Sequence, residues 1–204
     1  MLSVLDPAGP TAESIASLWW VMLSGATALF VFVIASLWLT YRTPRFYARI
    51  SARTWLLHAG VLMPAVVLTA LTAYALFLGE RLVAKPHADI VHVEAIATRW
   101  AWQFRYPQLE AARHTSVLHI PAGRTVEVRV TSEDVIHSFW VPRLAGKIDA
   151  IPGHETRVRL RAEVPGVFEG LCAEFCGLGH TAMRFRIIAH DADAYRAALA
   201  SAAQ

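Results

Sequence analysis

The chain has 204 residues, of which 55 % are hydrophobic and 17 % charged, with a formal net charge of +3. That apolar share is too high for an ordinary soluble globule, and so small a charge excess gives no reason to expect a nucleic-acid binder. Membrane spans are therefore the first thing to seek.

From Ile15 to Thr40 no residue is charged. At 1.5 Å per residue this run gives about 39 Å of helix, more than the ~30 Å of a bilayer core. A second uncharged run extends from Thr54 to Gly79 and contains His58 and Pro64; proline is better tolerated in a membrane helix than in an exposed soluble one. The rest of the sequence has no helical mass that could bury two such helices in a soluble fold. A cleaved signal peptide does not fit, because no Lys or Arg precedes Arg42 and the apolar run is too long for one. The connecting segment carries Arg42, Arg45, Arg49 and Arg53 and no acid, whereas the first residues carry Asp6 and Glu13 and no base. By the positive-inside rule the connection is cytoplasmic, and both the N-terminus and everything after Glu80 lie outside. Trp19, Trp20, Trp38, Tyr41 and Trp55 fall near the span ends, where aromatic belts sit. The expected organisation is thus a tail and transmembrane hairpin over 1–81, with spans at about 15–40 and 54–79, and an outer domain over 82–204.

The outer domain balances fourteen Lys/Arg against thirteen Asp/Glu. Its dominant pattern is alternation. Val126, Val128 and Val130 oppose Glu127 and Arg129, and Val158, Leu160 and Ala162 oppose Arg157, Arg159 and Arg161. Turn signals at 121–123, 151–155 and 164–168 separate short strands, which predicts a small antiparallel sandwich or barrel. The Ala-rich stretch from Asp191 to Gln204 predicts a terminal helix. In "RWAWQFRY" Trp100 and Trp102 share a parity and are expected on one face of a strand, with Trp102 packing in the core.

Both cysteines lie in "GLCAEFCGLGHTAM", in the series Cys172-x3-Cys176-x3-His180-x2-Met183. A disulfide suits an oxidising compartment, but it closes a tiny loop and leaves His180 and Met183 unexplained. Zinc could take Cys172, Cys176, His180 and His137, yet has no use for a thioether. Soft sulfur ligands with imidazole suit copper, and a mononuclear blue-copper site would leave one cysteine over. Two bridging thiolates, two histidines, Met183 and a backbone carbonyl between the cysteines would instead serve two copper ions, with His137 from "SEDVIHSFWVP" as the second imidazole. His92, His114, His119, His154 and His190 lack such spacing and are expected to be ordinary strand or loop residues.

With the two-span hairpin, the aromatic run, "SEDVIHSFWVP", "KIDAIPG" and "CAEFCGLGHTAM", the chain resembles subunit II of haem-copper cytochrome c oxidases over nearly its whole length. The resemblance implies a membrane-anchored all-β protein whose outer domain is a cupredoxin-like Greek-key β-barrel in the bacterial inner membrane. It implies a dinuclear copper centre held by His137, Cys172, the Glu174 carbonyl, Cys176, His180 and Met183. The Glu174 side chain would reach a magnesium ion against the catalytic subunit. Trp100 would be the point where electrons enter, and Asp134 would help to dock the donor or orient the ligand loop. The implied partners are the catalytic haem-copper subunit I, further membrane subunits, a cytochrome c-type donor and membrane lipid. The implied function is transfer of electrons from that donor to haem in the catalytic subunit, where oxygen is reduced. The alternatives are a subunit of another terminal reductase, such as a nitric oxide reductase, or a membrane-tethered copper-binding or assembly protein. Quinol-oxidase relatives have lost the copper ligands that this chain keeps. One departure is that no Asp or Glu stands between Glu13 and Glu80, where relatives often carry a Glu at the cytoplasmic head of the second span; His58 is not given that role.

Overall fold

The computed structural model describes residues 2–47, 51–82, 90–109 and 115–202. Two compact units emerge, Leu18–Ala84 on the one hand and Met1–Ser17 with Lys85–Gln204 on the other. Arg49 and His114, named above, lie outside the described residues.

Helix α1 spans Pro10–Arg42, with proline at its first position and Glu13 and Arg42 at the ends that suit the helix dipole. After a short helix α2 (Pro44–Tyr47), α3 (Ala52–Trp55) runs through a π-helical stretch (Leu56–Leu62) into α4 (Met63–Leu82). Pro64 explains the wide turn. It has no N–H, and its ring crowds the carbonyl four residues back. The backbone relaxes into a register in which the Met63 N–H reaches the His58 carbonyl, five residues back. The His58 ring meanwhile bonds the Thr54 carbonyl at 3.0 Å. Both helical segments, Pro10–Arg42 and Ala52–Glu80, are long and apolar enough to cross a membrane. The chain is a membrane-anchored protein with two N-terminal apolar helices.

Among the described residues, nine strands build the other unit: β1 Val91–Thr98, β2 Ala101–Arg105, β3 Val117–Pro121, β4 Val126–Ser132, β5 His137–Trp140, β6 Ile148–Ala150, β7 Thr156–Leu160, β8 Gly166–Cys172 and β9 Arg184–His190. They form a four-stranded sheet ordered β2-β1-β4-β7 and a five-stranded sheet ordered β3-β9-β8-β5-β6. Alternation decides which side of each strand is buried. Val93, Ala95 and Ala97 of β1 and Val126, Val128 and Val130 of β4 are sealed in the core, where Phe104, Phe139 and Phe185 meet. On the opposite side the register places His92, Glu127 and Arg159 in one row across β1, β4 and β7. There Arg159 donates to Glu127 through Nε at 3.0 Å and a terminal nitrogen at 2.9 Å, so the buried carboxylate is charge-paired. Helix α5 (Ala192–Ala202) closes the chain, capped by the Asp191 carboxylate, which accepts from the Ala194 N–H at 2.8 Å.

The purely antiparallel expectation needs correction. β1 pairs β4 in parallel, and so does β3 with β9, while the β1–β2 hairpin and the β8–β9 pair are antiparallel. Alternation says which face is apolar but carries no direction, so only neighbours joined by a tight turn have their sense fixed locally. The two curled sheets are those of a cupredoxin-like domain.

The first residues of the chain pack on this domain. The Ala8 N–H donates to the Arg143 carbonyl at 2.7 Å, and the Ala8 carbonyl accepts from the Glu163 N–H at 3.2 Å. Arg143 in turn holds Asp6 through its carbonyl at 2.8 Å and its carboxylate at 2.9 Å. Ala12 and Ala16 are buried in the same unit. A Cβ on Gly9 would lie 2.1 Å from the Arg161 carbonyl oxygen, so only glycine fits there. Gly9→Ala should therefore cost about 1–3 kcal/mol, the usual penalty of overpacking, read as a lowered unfolding midpoint of the detergent-solubilised full chain. An unchanged midpoint would show that this contact is dispensable.

Candidate metal centre

Strands β5 and β8 bring the first two donors together. Phe139 pairs with Cys172 across the antiparallel β5–β8 contact, so His137, two residues earlier on β5, points to the same side as the end of β8. His137 Nδ1 stands 3.8 Å from Cys172 Sγ. The loop from Cys172 to Met183 then leaves the sheet and returns, closed at its base by the Cys172 N–H on the Met183 carbonyl at 2.9 Å. A second clamp, the Ala173 N–H on the Ser138 carbonyl at 2.9 Å, ties the loop to β5. The 3₁₀ turn His180–Ala182 swings the next imidazole inward.

The remaining donors converge on the sulfurs. Cys176 Sγ lies 3.8 Å from Cys172 Sγ, 3.7 Å from His180 Nδ1 and 3.8 Å from Met183 Sδ. The Glu174 carbonyl oxygen lies 3.2 Å from Cys172 Sγ. A disulfide would need the sulfurs at about 2.05 Å; both cysteines are free. The ligating atoms of His137, Cys172 and Cys176 all lie within 4.8 Å of one another, a cluster capable of holding a metal ion. His137, Cys172, Cys176 and Met183 are buried, while Glu174, whose carbonyl faces the sulfurs, is exposed. Burial, together with hydrogen bonding and charge coupling to Cys172, pushes the Cys176 thiol up to about 11; a bound metal reverses that preference, because it takes the thiolate.

Asp134 holds His137 from behind. Its carboxylate accepts from His137 Nε2 at 2.8 Å, the Val135 N–H at 2.6 Å, the Arg99 N–H at 2.8 Å and Arg99 Nε at 3.2 Å. Burial alone would raise this carboxyl, but the bonds from His137, Val135 and Arg99 outweigh it and hold the group well below the usual carboxylate range. A carboxylate acceptor requires the proton on Nε2, which leaves the Nδ1 lone pair facing the sulfurs.

The parity reading of Trp100 and Trp102 fails here. Thr98 pairs with Ala101, so Arg99 and Trp100 form the two-residue turn between β1 and β2, and Trp100 is not on a strand at all. Trp102 is 3 % exposed and packs on Phe139 and Phe185, whereas Trp100 is 43 % exposed. Alternation applies within a strand and lapses at the turn. Trp100 Nε1 donates to the Cys176 carbonyl at 3.3 Å. Of the histidines set aside above, His119 Nδ1 and His190 Nε2 pair at 2.9 Å, and His92 lies 3.5 Å from Glu127.

Residues 113–190 match the family model for the periplasmic domain of cytochrome c oxidase subunit II. That match ties residues 113–190 of the outer domain to the cytochrome c oxidase subunit II family. A cytochrome c oxidase subunit 2 from Alkalihalophilus pseudofirmus is 35 % identical over 144 residues, covering 71 % of this chain and 42 % of that protein. The chain thus spans less than half the length of that relative. The ubiquinol oxidase subunit 2 of Acetobacter aceti is 29 % identical over 212 residues, 96 % of this chain and 68 % of that one. Among solved structures, the periplasmic domain of cytochrome oxidase subunit II from Bradyrhizobium japonicum superposes with a TM-score of 0.52 at 29 % identity, covering 57 % of this chain and 95 % of that chain. The matched family model is that of a periplasmic domain, and the cupredoxin-like domain of this membrane-anchored chain faces the periplasm. Resemblance over the whole length does not separate cytochrome c from quinol oxidases; the donor cluster is where the two readings part.

Proposed function

We propose that this subunit II carries electrons from a soluble or tethered cytochrome c-type donor to haem in the catalytic subunit I of a haem-copper oxidase, where oxygen is reduced to water. The observation that carries this reading is the convergence of two thiols, two imidazole Nδ1 atoms, a thioether and a main-chain carbonyl on one buried spot. That donor set fits two copper ions: His137, Cys172, the Glu174 carbonyl, Cys176, His180 and Met183 would hold them, and soft sulfur with imidazole is what copper selects. Bound there, the copper pair supplies one-electron redox chemistry with the charge spread over two metals and two sulfurs.

The chain's own residues do the rest. The clamped loop and the β5–β8 contact fix the donors before metal arrives, so little has to move when the charge changes. Asp134 fixes the ring and proton of His137; with five hydrogen bonds satisfied inside the domain, from His137, Val135, Ser132 and twice from Arg99, it is better suited to that role than to docking. Trp100 offers a surface ring bonded directly to the Cys176 carbonyl, which supports it as the place where electrons enter. The exposed Glu174 carboxylate is free to bind a magnesium ion against subunit I. Burial of His137, Cys172, Cys176 and Met183 favours a resident centre over the open, exchangeable site of a copper carrier or assembly protein. A nitric oxide reductase would use the same centre, and the haem content of the co-purifying subunit separates the two.

The test is copper content and electron paramagnetic resonance of the purified full chain. Two coppers per chain with a delocalised mixed-valence pattern is the expected result; a single exchangeable Cu(I) would establish the carrier reading instead. Trp100→Phe should slow reduction by a reduced c-type cytochrome while leaving the metal spectrum nearly unchanged. Loss of metal in that variant would make Trp100 structural.

A further inference from the structure

The Trp100 indole rests on glycine backbone. A Cβ added at Gly179 would lie 2.4 Å from Trp100 Cδ2, 2.5 Å from Cγ and 2.8 Å from Cε3. At Gly177, whose φ is +118°, it would lie 3.3 Å from Cζ2 and 3.5 Å from Nε1. The indole thus lies across the backbone of Gly177 and Gly179, with its N–H on the Cys176 carbonyl just upstream. Leu178, between the two glycines, is 97 % exposed.

We infer that Gly177 and Gly179 are positioning residues that seat the Trp100 indole on the metal-binding loop, and that Gly179 is the one whose replacement unseats it. The inference rests on the reading of Trp100 as the place where electrons enter. Ordinary carbon contact is about 3.5–4.0 Å, so a methyl at position 179 forces a separation of about 1 Å. The loop cannot supply it. Turn bonds from the His180 N–H to the Gly177 carbonyl at 3.1 Å and from the Ala182 N–H to the Gly179 carbonyl at 3.0 Å hold its shape. Trp100, half-exposed on a two-residue turn, is the side that gives way. Its bond to the Cys176 carbonyl is already 3.3 Å long, and such a displacement takes it beyond hydrogen-bond range. What is lost is the contact between the surface ring and the metal loop, while every metal donor stays in place.

The experiment has two arms on the full chain in detergent. In the metal-free protein, the Trp100 indole proton is identified among the seven tryptophans by its loss in Trp100→Phe, and its exchange with solvent is measured by nitrogen-15 NMR. Gly179→Ala should accelerate that exchange more than tenfold; unchanged protection overturns the seat. In the copper-loaded protein, a double-mutant cycle uses Gly179→Ala and Trp100→Ala, with reduction by a reduced c-type cytochrome as the readout. Alone, Gly179→Ala should slow reduction about tenfold with the copper absorption spectrum kept. In the Trp100→Ala background, where the space over Gly179 is vacant, it should change the rate less than twofold. An equal slowdown in both backgrounds overturns the inference. Should the wild-type chain take up no copper, the proposed function falls, while the indole arm still decides the seat.

Discussion

Cys176→Ser is expected to reduce copper from two per chain to one at most and to erase the delocalised mixed-valence pattern. Cys176 is the hub of the cluster: its sulfur neighbours Cys172 Sγ, His180 Nδ1 and Met183 Sδ, each within 3.8 Å. Serine is nearly isosteric, so the loop keeps its shape at the cost of burying one hydroxyl, roughly 1–3 kcal/mol. What serine cannot offer is a soft, readily ionised bridging sulfur. Atomic absorption and electron paramagnetic resonance on the same sample would read both effects. Two coppers with an unchanged pattern would remove Cys176 from the centre and with it the dinuclear reading.

The second large effect is expected from Asp134→Ala. This carboxylate is not a donor to the metal, yet it fixes the proton on His137 Nε2 and draws in the turn that carries Arg99. Removing such a partner of a metal-binding histidine typically costs 10–100-fold in metal affinity. The variant should therefore lose copper to a competing chelator that much more readily. Asp134→Asn, which can accept the same bond without the charge, should recover part of the loss. The pH dependence follows from the carboxyl's lowered pKa. A depressed folded value means that the contribution is fully present above the ordinary carboxylate pKa of about 4 and is lost as pH falls through the lower folded value. The unfolding midpoint of the metal-free wild type should accordingly fall more steeply than that of Asp134→Ala below about pH 4. Parallel curves would show that Asp134 titrates in the folded protein as it does in the unfolded one.

Much of this was legible before any coordinates, for identifiable reasons. Uncharged length marks helices such as α1, and alternation marks buried faces such as Val126, Val128 and Val130, because each is a local periodicity imposed by one element. The donor series from Cys172 to Met183 was legible because one loop carries it. What escaped depends on approach between distant segments. The parallel partnership of β1 and β4 has no signature in either strand. The place of Trp100 depended on where a strand begins, which parity does not tell. Nothing in "CGLGH" announces that its glycines lie under an indole whose N–H bonds a carbonyl 76 positions further along the chain. The role of Asp134 was half legible: three residues before His137 it could orient the ligand loop or meet a donor, and only the bonds to Arg99 and His137 weigh the two.

The packing of Asp6, Ala8 and Gly9 against Arg143, Glu163 and Arg161 makes the periplasmic domain discontinuous in sequence, with the membrane hairpin as a long insertion within it. Its first piece is synthesised and exported while its other half does not yet exist. It must wait through two membrane crossings for its binding surface to be made. Closing a loop of that length carries an entropic cost that grows only logarithmically, and holding both ends of the hairpin on one side of the bilayer lowers it further. A soluble fragment cut after the hairpin is therefore a domain missing a segment, and the segment's natural replacement is a peptide carrying the first residues of the chain, supplied in trans.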